Sequence, residues 1–304
     1  SKRTKKMASW SINEQSETCD VIDEPEDHAN AKPMLYDSEG NRGVVHIFNY
    51  YEFKDKERVD QFEGGEEDAK ALLKVFKSME YNVKVWDNLS KAKTDKAFQD
   101  IQRTKGLSKE FVLIFYILSH GKDQNTYLSS DFRKNNLMEK IIMFRKDKCT
   151  AMRYKPVIWF GDFCRGSKLQ RGVGPVSAKF DTKAEPGMYK YGKEEGLTNT
   201  AYIMSSGPGF LSMYDREQAF TPIICQMLKE KTYQMNNLDD KWFMELNARL
   251  RKNKLTNSAR QVFDPFPGQL FFEEGFSFRF DRHTIGKRAI PPRKFPARKS
   301  KERA

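Results

Sequence analysis

At 304 residues, with 38% hydrophobic and 32% charged side chains, the chain is long enough to bury a substantial core as one large or two small domains, and no run approaches the ~18 apolar residues of a membrane span. The basic start Ser1-Lys2-Arg3-Thr4-Lys5-Lys6 has no apolar stretch behind it, which argues against a secretory signal, and Cys19, Cys149, Cys164 and Cys225 lie far apart without a CxxC pair, which argues for free thiols rather than a disulfide frame or zinc site. Of the net charge of +12, a balance of +7 falls on residues 281–304, where nine Lys and Arg face Asp281 and Glu302, so the charge says little about the folded part.

Residues 1–42 are rich in Ser, Glu, Asp, Asn and Lys without apolar periodicity and read as a flexible leader. Val44 to Phe48 is the first expected strand, followed by a polar loop to Gly64. Beyond Gly65, the spacing of Leu72, Val75, Phe76 and Met79 predicts an amphipathic helix. Asn82 to Trp86 reads as a second strand, and Lys91 to Thr104 as a helix anchored by Ala97, Phe98 and Ile101. Phe111 to Leu118 has almost no polar interruption, as expected of a strand covered on both faces. It ends in Ser119-His120-Gly121. Leu137 to Phe144 reads as a helix, and Pro156 to Phe160 as a strand that runs into Gly161-Asp162-Phe163-Cys164-Arg165-Gly166. Alternation of strands and helices predicts an α/β fold: an open, mostly parallel, six-stranded sheet with helices on both faces. Functional groups in such sheets gather beyond the carboxyl ends of the strands, where His120 and Cys164 fall, so a thiol and an imidazole are expected as a nucleophile–base pair.

Residues 167–199, dominated by Gly, Pro, Ser and Lys, are too long for an ordinary connection and read as an exposed linker open to proteolysis. Thr200 to Met204 resumes as a strand, turned by Ser205-Ser206-Gly207-Pro208-Gly209. Phe220 to Tyr233 and Leu238 to Arg251 are expected helices, and Gln269 to Phe272 and Phe276 to Phe280 are expected to close the sheet or form an edge hairpin.

With these residues in view, the chain from about Val44 to Phe280 resembles a caspase. The resemblance is carried by Leu118-Ser119-His120-Gly121, Asp147-Lys148-Cys149, Lys155-Pro156, Cys164-Arg165-Gly166, Ser205-Ser206-Gly207-Pro208-Gly209 and Cys225-Gln226-Met227-Leu228-Lys229, in that order. The histidine and the Cys-Arg-Gly motif are 44 residues apart, near the spacing of the caspase signature. The resemblance implies that residues 43–166 are a large-subunit-like part, 167–199 an inter-subunit linker, 200–280 a small-subunit-like part and 281–304 a basic tail. It implies that Cys164 attacks a peptide carbonyl, that His120 gives a proton to the leaving amine, and that the N–H groups of Gly121 and Cys164 stabilise the oxyanion. No cofactor or metal is expected.

The aspartate clamp of caspases, an Arg, a Gln and another Arg, maps onto Phe62, Asp162 and Tyr214, so none of its three residues is preserved; Arg58 and Arg216 are nearby cations. Loss of a desolvated carboxylate's partner costs ~3–5 kcal/mol, and an added Asp162 repels an aspartate outright. Two readings stay open. Asp162 re-aims the site toward a basic residue, as in the more distantly related paracaspases and metacaspases, which carry an Asp two residues before the cysteine. Alternatively, the chain is a decoy that regulates an active caspase by pairing with it through the last strand. The partners expected are therefore a protein or peptide substrate and a second caspase-like chain as homodimer or heterodimer. Neither a membrane nor nucleic acid is expected, the chain lacking the aromatic-interleaved basic surface of single-strand binders. Asp23, after Asp20-Val21-Ile22, and Asp181 are candidate cleavage positions for a caspase acting in trans. A cytoplasmic location is expected, with nuclear entry through the basic termini.

Overall fold

A computed structural model describes residues 34–35, 42–54, 62, 64–123, 125–153, 155–167, 199–207, 209, 212, 219–235, 238–252, 268–271 and 276–280, all within one compact unit that starts at Pro33. Its strands are β1 (Met34–Leu35), β2 (Val44–Asn49), β3 (Asn82–Asp87), β4 (Leu113–Leu118), β5 (Gly121–Asp123), β6 (Thr126–Leu128), β7 (Lys134–Asn136), β8 (Val157–Asp162), β9 (Thr200–Met204), β10 (Gly268–Phe271) and β11 (Phe276–Ser277). The helices are α1 (Gly65–Ser78), α2 (Lys91–Gln102), α3 (Leu137–Met143), α4 (Phe220–Lys229), α5 (Lys231–Met235) and α6 (Asp240–Lys252).

Six strands form the central sheet in the order β10-β9-β8-β4-β2-β3. All neighbours run parallel except β10, which is antiparallel to β9. β4 lies inside this sheet, and its six residues are all buried. Their side chains alternate between two cores: Ile114, Tyr116 and Leu118 on one face, Leu113, Phe115 and Ile117 on the other. Each fully buried large apolar side chain contributes roughly 1.5–3 kcal/mol, so a strand without an exposed face is strongly held in place.

The helices cover both faces by their apolar stripes. Leu72, Val75 and Phe76 of α1, Ile223 and Ile224 of α4 and Trp242 and Leu246 of α6 fill the first core; Ala97, Phe98 and Ile101 of α2 and Leu137 and Ile141 of α3 fill the second. Local chemistry sets the helix starts. Ser90 caps α2 by accepting from Lys93 N, and Asn136 caps α3 by accepting from Met138 N and Glu139 N.

Three features depart from the expected elements. Phe276–Ser277 does not join the central sheet; it pairs in parallel with Met34–Leu35, inside the segment read as a flexible leader. The helix expected over Phe220 to Tyr233 breaks after Lys229, where Glu230 takes an extended conformation (φ −84°, ψ 118°). A small antiparallel sheet, β5-β6-β7, follows His120, its three-residue strands too short to announce themselves by alternation. The linker from 168 to 198, the tail from 281, Asp23, Asp181, Tyr214, Arg58 and Arg216 lie outside the described residues.

Candidate active site

The parallel ladder of β4 and β8 sets Leu118 opposite Asp162, and Ser119 N–H donates to the Asp162 carbonyl at 3.2 Å. Two residues beyond each partner, His120 and Cys164 leave adjacent strands at the same carboxyl edge. The histidine ring is flanked by Phe53, with centroids 5.2 Å apart, and by Phe62, edge-on at 5.6 Å. Phe62 therefore gives the imidazole an aromatic wall. Gly121 opens β5 against the cysteine turn: a Cβ there would fall 1.6 Å from the Cys164 carbonyl oxygen and 2.7 Å from its carbon. Only glycine permits this approach.

The cysteine turn is clamped from β9. Ser205 N–H donates to the Gly161 carbonyl (2.9 Å), Phe163 N–H to Ser205 Oγ (3.2 Å), and Ser206 Oγ to the Phe163 carbonyl (3.4 Å). Arg165, buried beside the cysteine, donates to the Ser206 carbonyl (3.2 Å) and to Asn125 Oδ1 (3.4 Å). The residues that read as a turn motif in the sequence thus form the socket that fixes the nucleophile's backbone.

Ser212 holds the sulfur itself. Its N–H donates to Cys164 Sγ at 3.4 Å, and its carbonyl accepts from the thiol at 3.4 Å. Burial pushes the Cys164 thiol above its ordinary value and the charge of Asp162 adds to this, while the Ser212 N–H acts against it. The resting group is a thiol that needs a base at the moment of attack, the service an adjacent imidazole supplies.

Asp162 is 4% exposed. Its Oδ2 accepts from Thr221 Oγ1 at 2.7 Å and its Oδ1 from Ser212 Oγ at 3.2 Å. The Tyr116 hydroxyl lies 2.8 Å from Thr221 Oγ1. Burial raises the carboxyl, and the hydroxyls of Thr221, Ser205 and Ser212 oppose the rise. A second acid stands in the same electrostatic neighbourhood: Asp68 of α1, 5% exposed, whose Oδ2 is buried with no hydrogen-bond partner. Burial, then the charges of Asp162 and Glu67, push it up to about 8. Among the described residues, no Lys or Arg forms an ion pair with either acid.

Sequence reasoning brought His120, Gly121, Cys164, Asp162 and Phe62 forward, and all five lie on this one edge. Ser212 and Thr221 were missed because a lone hydroxyl in a loop or helix start carries no periodic signal. Asp68 was hidden by its place in the acidic first turn Glu66-Glu67-Asp68, a common solvated helix start. Cys149 and His46 lie elsewhere and are buried, whereas Cys225, also buried, has its thiol pushed up by burial and then by the charge of Asp68. The described residues contain no cluster of three or more His, Cys, Asp or Glu that could hold a metal, and no described helix is long and apolar enough to cross a membrane.

Comparison with known proteins bears on this geometry. The family profile described as Caspase domain matches residues 42–264. Caspase-7 of Gallus gallus is 27% identical over 237 residues, which cover 73% of this chain and 70% of that protein. Caspase-8 of Mus musculus is 27% identical over 174 residues, 55% of this chain and 36% of the relative. The crystal structure of Caspase-1 from Spodoptera frugiperda superposes with a TM-score of 0.67 at 19% identity, covering 83% of this chain and 94% of the other, a likeness of fold. A parallel α/β sheet delivering a Cys and a His to one edge, together with a profile match over most of the length, makes this chain a member of the caspase family, a family of cysteine-type peptidases.

Proposed function

We propose that the protein is a cysteine endopeptidase whose nucleophile is Cys164, whose acid–base group is His120, and whose specificity pocket prefers a basic over an acidic residue on the amino side of the scissile bond. The first part is supported by the register that brings both side chains off neighbouring strands and by the contact of Gly121 with the Cys164 backbone. In the mechanism, the imidazole takes the thiol proton, the sulfur adds to the peptide carbonyl, and the proton passes to the leaving amine. Water then hydrolyses the thioester. Ser212 must shift off the sulfur for a substrate carbonyl to reach it.

The observation that carries the specificity is the pair of buried acids, Asp162 and Asp68, with no described cationic partner. An incoming carboxylate finds two buried acids and no described cation to pair with it. A guanidinium or ammonium would pair with Asp162 and draw both carboxyls back toward ionisation. Reporter peptides differing only in Asp, Arg or Lys at this position, assayed with the wild type and Cys164→Ala, test the proposal. The expected result is cleavage after Arg and Lys that exceeds Asp by about a hundredfold or more in kcat/KM and is lost in Cys164→Ala. Silence toward Arg and Lys peptides, while a thiol-directed acylating probe still labels Cys164, would overturn it. On this reading a pocket hostile to aspartate does not process its own Asp23 or Asp181, and cleavage there is the work of a caspase acting in trans.

A second reading, regulation of an active caspase by pairing, is supported by β10 at the border of the central sheet, where an antiparallel strand of another chain can add. Association with an active caspase that survives Cys164→Ala, measured by sedimentation, supports it; association lost on that substitution argues against it.

A further inference from the structure

Ser212 covers the nucleophile and the specificity acid at once. Its N–H donates to Cys164 Sγ and its carbonyl accepts from the thiol, each at 3.4 Å, while its Oγ donates to Asp162 Oδ1 at 3.2 Å. The sulfur thus gives and receives a hydrogen bond with the main chain of one residue, and the side chain of that residue caps one of the two carboxylate oxygens.

The other contacts of these groups do not depend on Ser212. Thr221, fully buried in α4, holds Asp162 Oδ2 at 2.7 Å, and Ser205 and Ser206 tie the main chain of Phe163. They keep the carboxyl group and the cysteine turn in place whether or not Ser212 stays. Ser212 is only half-buried, and its bond to the acid is longer than that of Thr221, hence the weaker of the two. It is the contact that can yield.

Asp162 is 4% exposed, so a substrate cation reaches Oδ1 by taking the place of the Ser212 hydroxyl. A guanidinium brings a full charge and two parallel N–H donors, against a single neutral O–H. We infer that Ser212 is a positioning residue that couples recognition to reactivity: a cation pairing with Asp162 displaces the Ser212 hydroxyl, and the same movement withdraws the Ser212 main chain from Cys164 Sγ. The thiol is then free for His120 and the peptide carbonyl; with the pocket empty of a cation, the sulfur stays covered. This rests on the basic specificity proposed above and adds to it the order of events. A cation that paired with Asp68 instead would bind without moving Ser212, an outcome the test separates.

The test is alkylation of Cys164 by iodoacetamide in the full-length protein near neutral pH, with the rate of Cys164→Ala subtracted. It is run with and without ethylguanidinium, a fragment of the arginine side chain, and with uncharged N-ethylurea as control; binding is followed separately by ligand-observed NMR. Ethylguanidinium should bind saturably at about millimolar concentration, with binding lost in Asp162→Asn. At saturation the alkylation rate should rise about tenfold, and N-ethylurea should leave it unchanged. Ser212→Ala, without the hydroxyl tether, should start about tenfold faster and gain nothing from the cation. Ser212→Thr, which restores the hydroxyl, should bring back the slow rate and the stimulation. Saturable binding to the wild type with unchanged or slower alkylation would overturn the coupling and leave the basic specificity standing. Absence of binding would overturn that specificity and the coupling with it. Equal stimulation in a folded Ser212→Ala protein would also overturn the coupling, and the wild-type measurements decide alone if that variant does not fold.

Discussion

Gly121 and Cys164 meet main chain to main chain: a single methyl on the glycine would sit 1.6 Å from the cysteine's carbonyl oxygen. Neither partner can give way freely, because the cysteine turn is tied to Ser205 and Ser206 and Gly121 is paired with Tyr127 across β5 and β6. Gly121→Ala is therefore expected to cost ~1–3 kcal/mol in denaturant unfolding. It should lower kcat/KM by about a hundredfold or more, since a displacement of about 1 Å at a reacting centre has that effect. Near-normal turnover by this variant would show that the two backbones do not cooperate in the reaction.

The thiol's surroundings set how it reacts with an electrophile. Buried, beside an acid and held by Ser212, Cys164 has its pKa raised, not lowered. Alkylation by iodoacetamide, with the rate of Cys164→Ala subtracted, should climb about tenfold per pH unit from pH 6 to pH 8.5, without a plateau near neutrality. A plateau below pH 7 would indicate a standing thiolate–imidazolium pair.

Asp162 joins two hydroxyls and, on the proposal above, a substrate cation. Asp162→Asn keeps its ability to hydrogen-bond with Thr221 and Ser212 and deletes the charge. Cleavage after Arg and Lys should fall by about two to three powers of ten while the melting temperature does not drop. A variant that retains Arg cleavage would place the basic specificity elsewhere.

Most of the sheet was legible because its strands obey one rule: covered on both faces, they read as unbroken apolar runs, and β4 and β8 do so. The site's principal groups were legible because they terminate those runs. What escaped was held by contacts distant in sequence. Thr221 reaches Asp162 across 59 positions, and Ser212 reaches Cys164 across 48. Nothing near Phe276 signals that it will pair with Met34, since two-residue strands contain no period to detect. The break at Glu230 is similarly local: Gln234 reaches back to the Leu228 carbonyl at 2.6 Å, satisfying a helix end that the apolar pattern would have continued.

Asp68 ties stability to pH. Its native carboxyl, pushed up to about 8, lies above its unfolded value of 3.8. The native chain thus holds this proton more tightly than the unfolded one. The resulting stabilisation is complete below pH 4 and is lost as pH rises through 8. Across that window, chemical denaturation of the wild type should lose stability relative to Asp68→Asn with a slope approaching ~1.4 kcal/mol per pH unit. Parallel pH profiles for the two proteins would mean that Asp68 ionises normally.

The clamp on the cysteine turn has one more implication. Cys164 and His120 precede residue 168, whereas Ser205, Ser206, Ser212 and Thr221, which shape the nucleophile's surroundings, all follow residue 198. The parallel β8–β9 ladder joins the two stretches directly. A molecule severed anywhere between them can stay assembled as two complementing fragments, with its reactive sulfur still seated. Separating those fragments under denaturing conditions should silence the thiol chemistry, and remixing them should restore it with second-order kinetics.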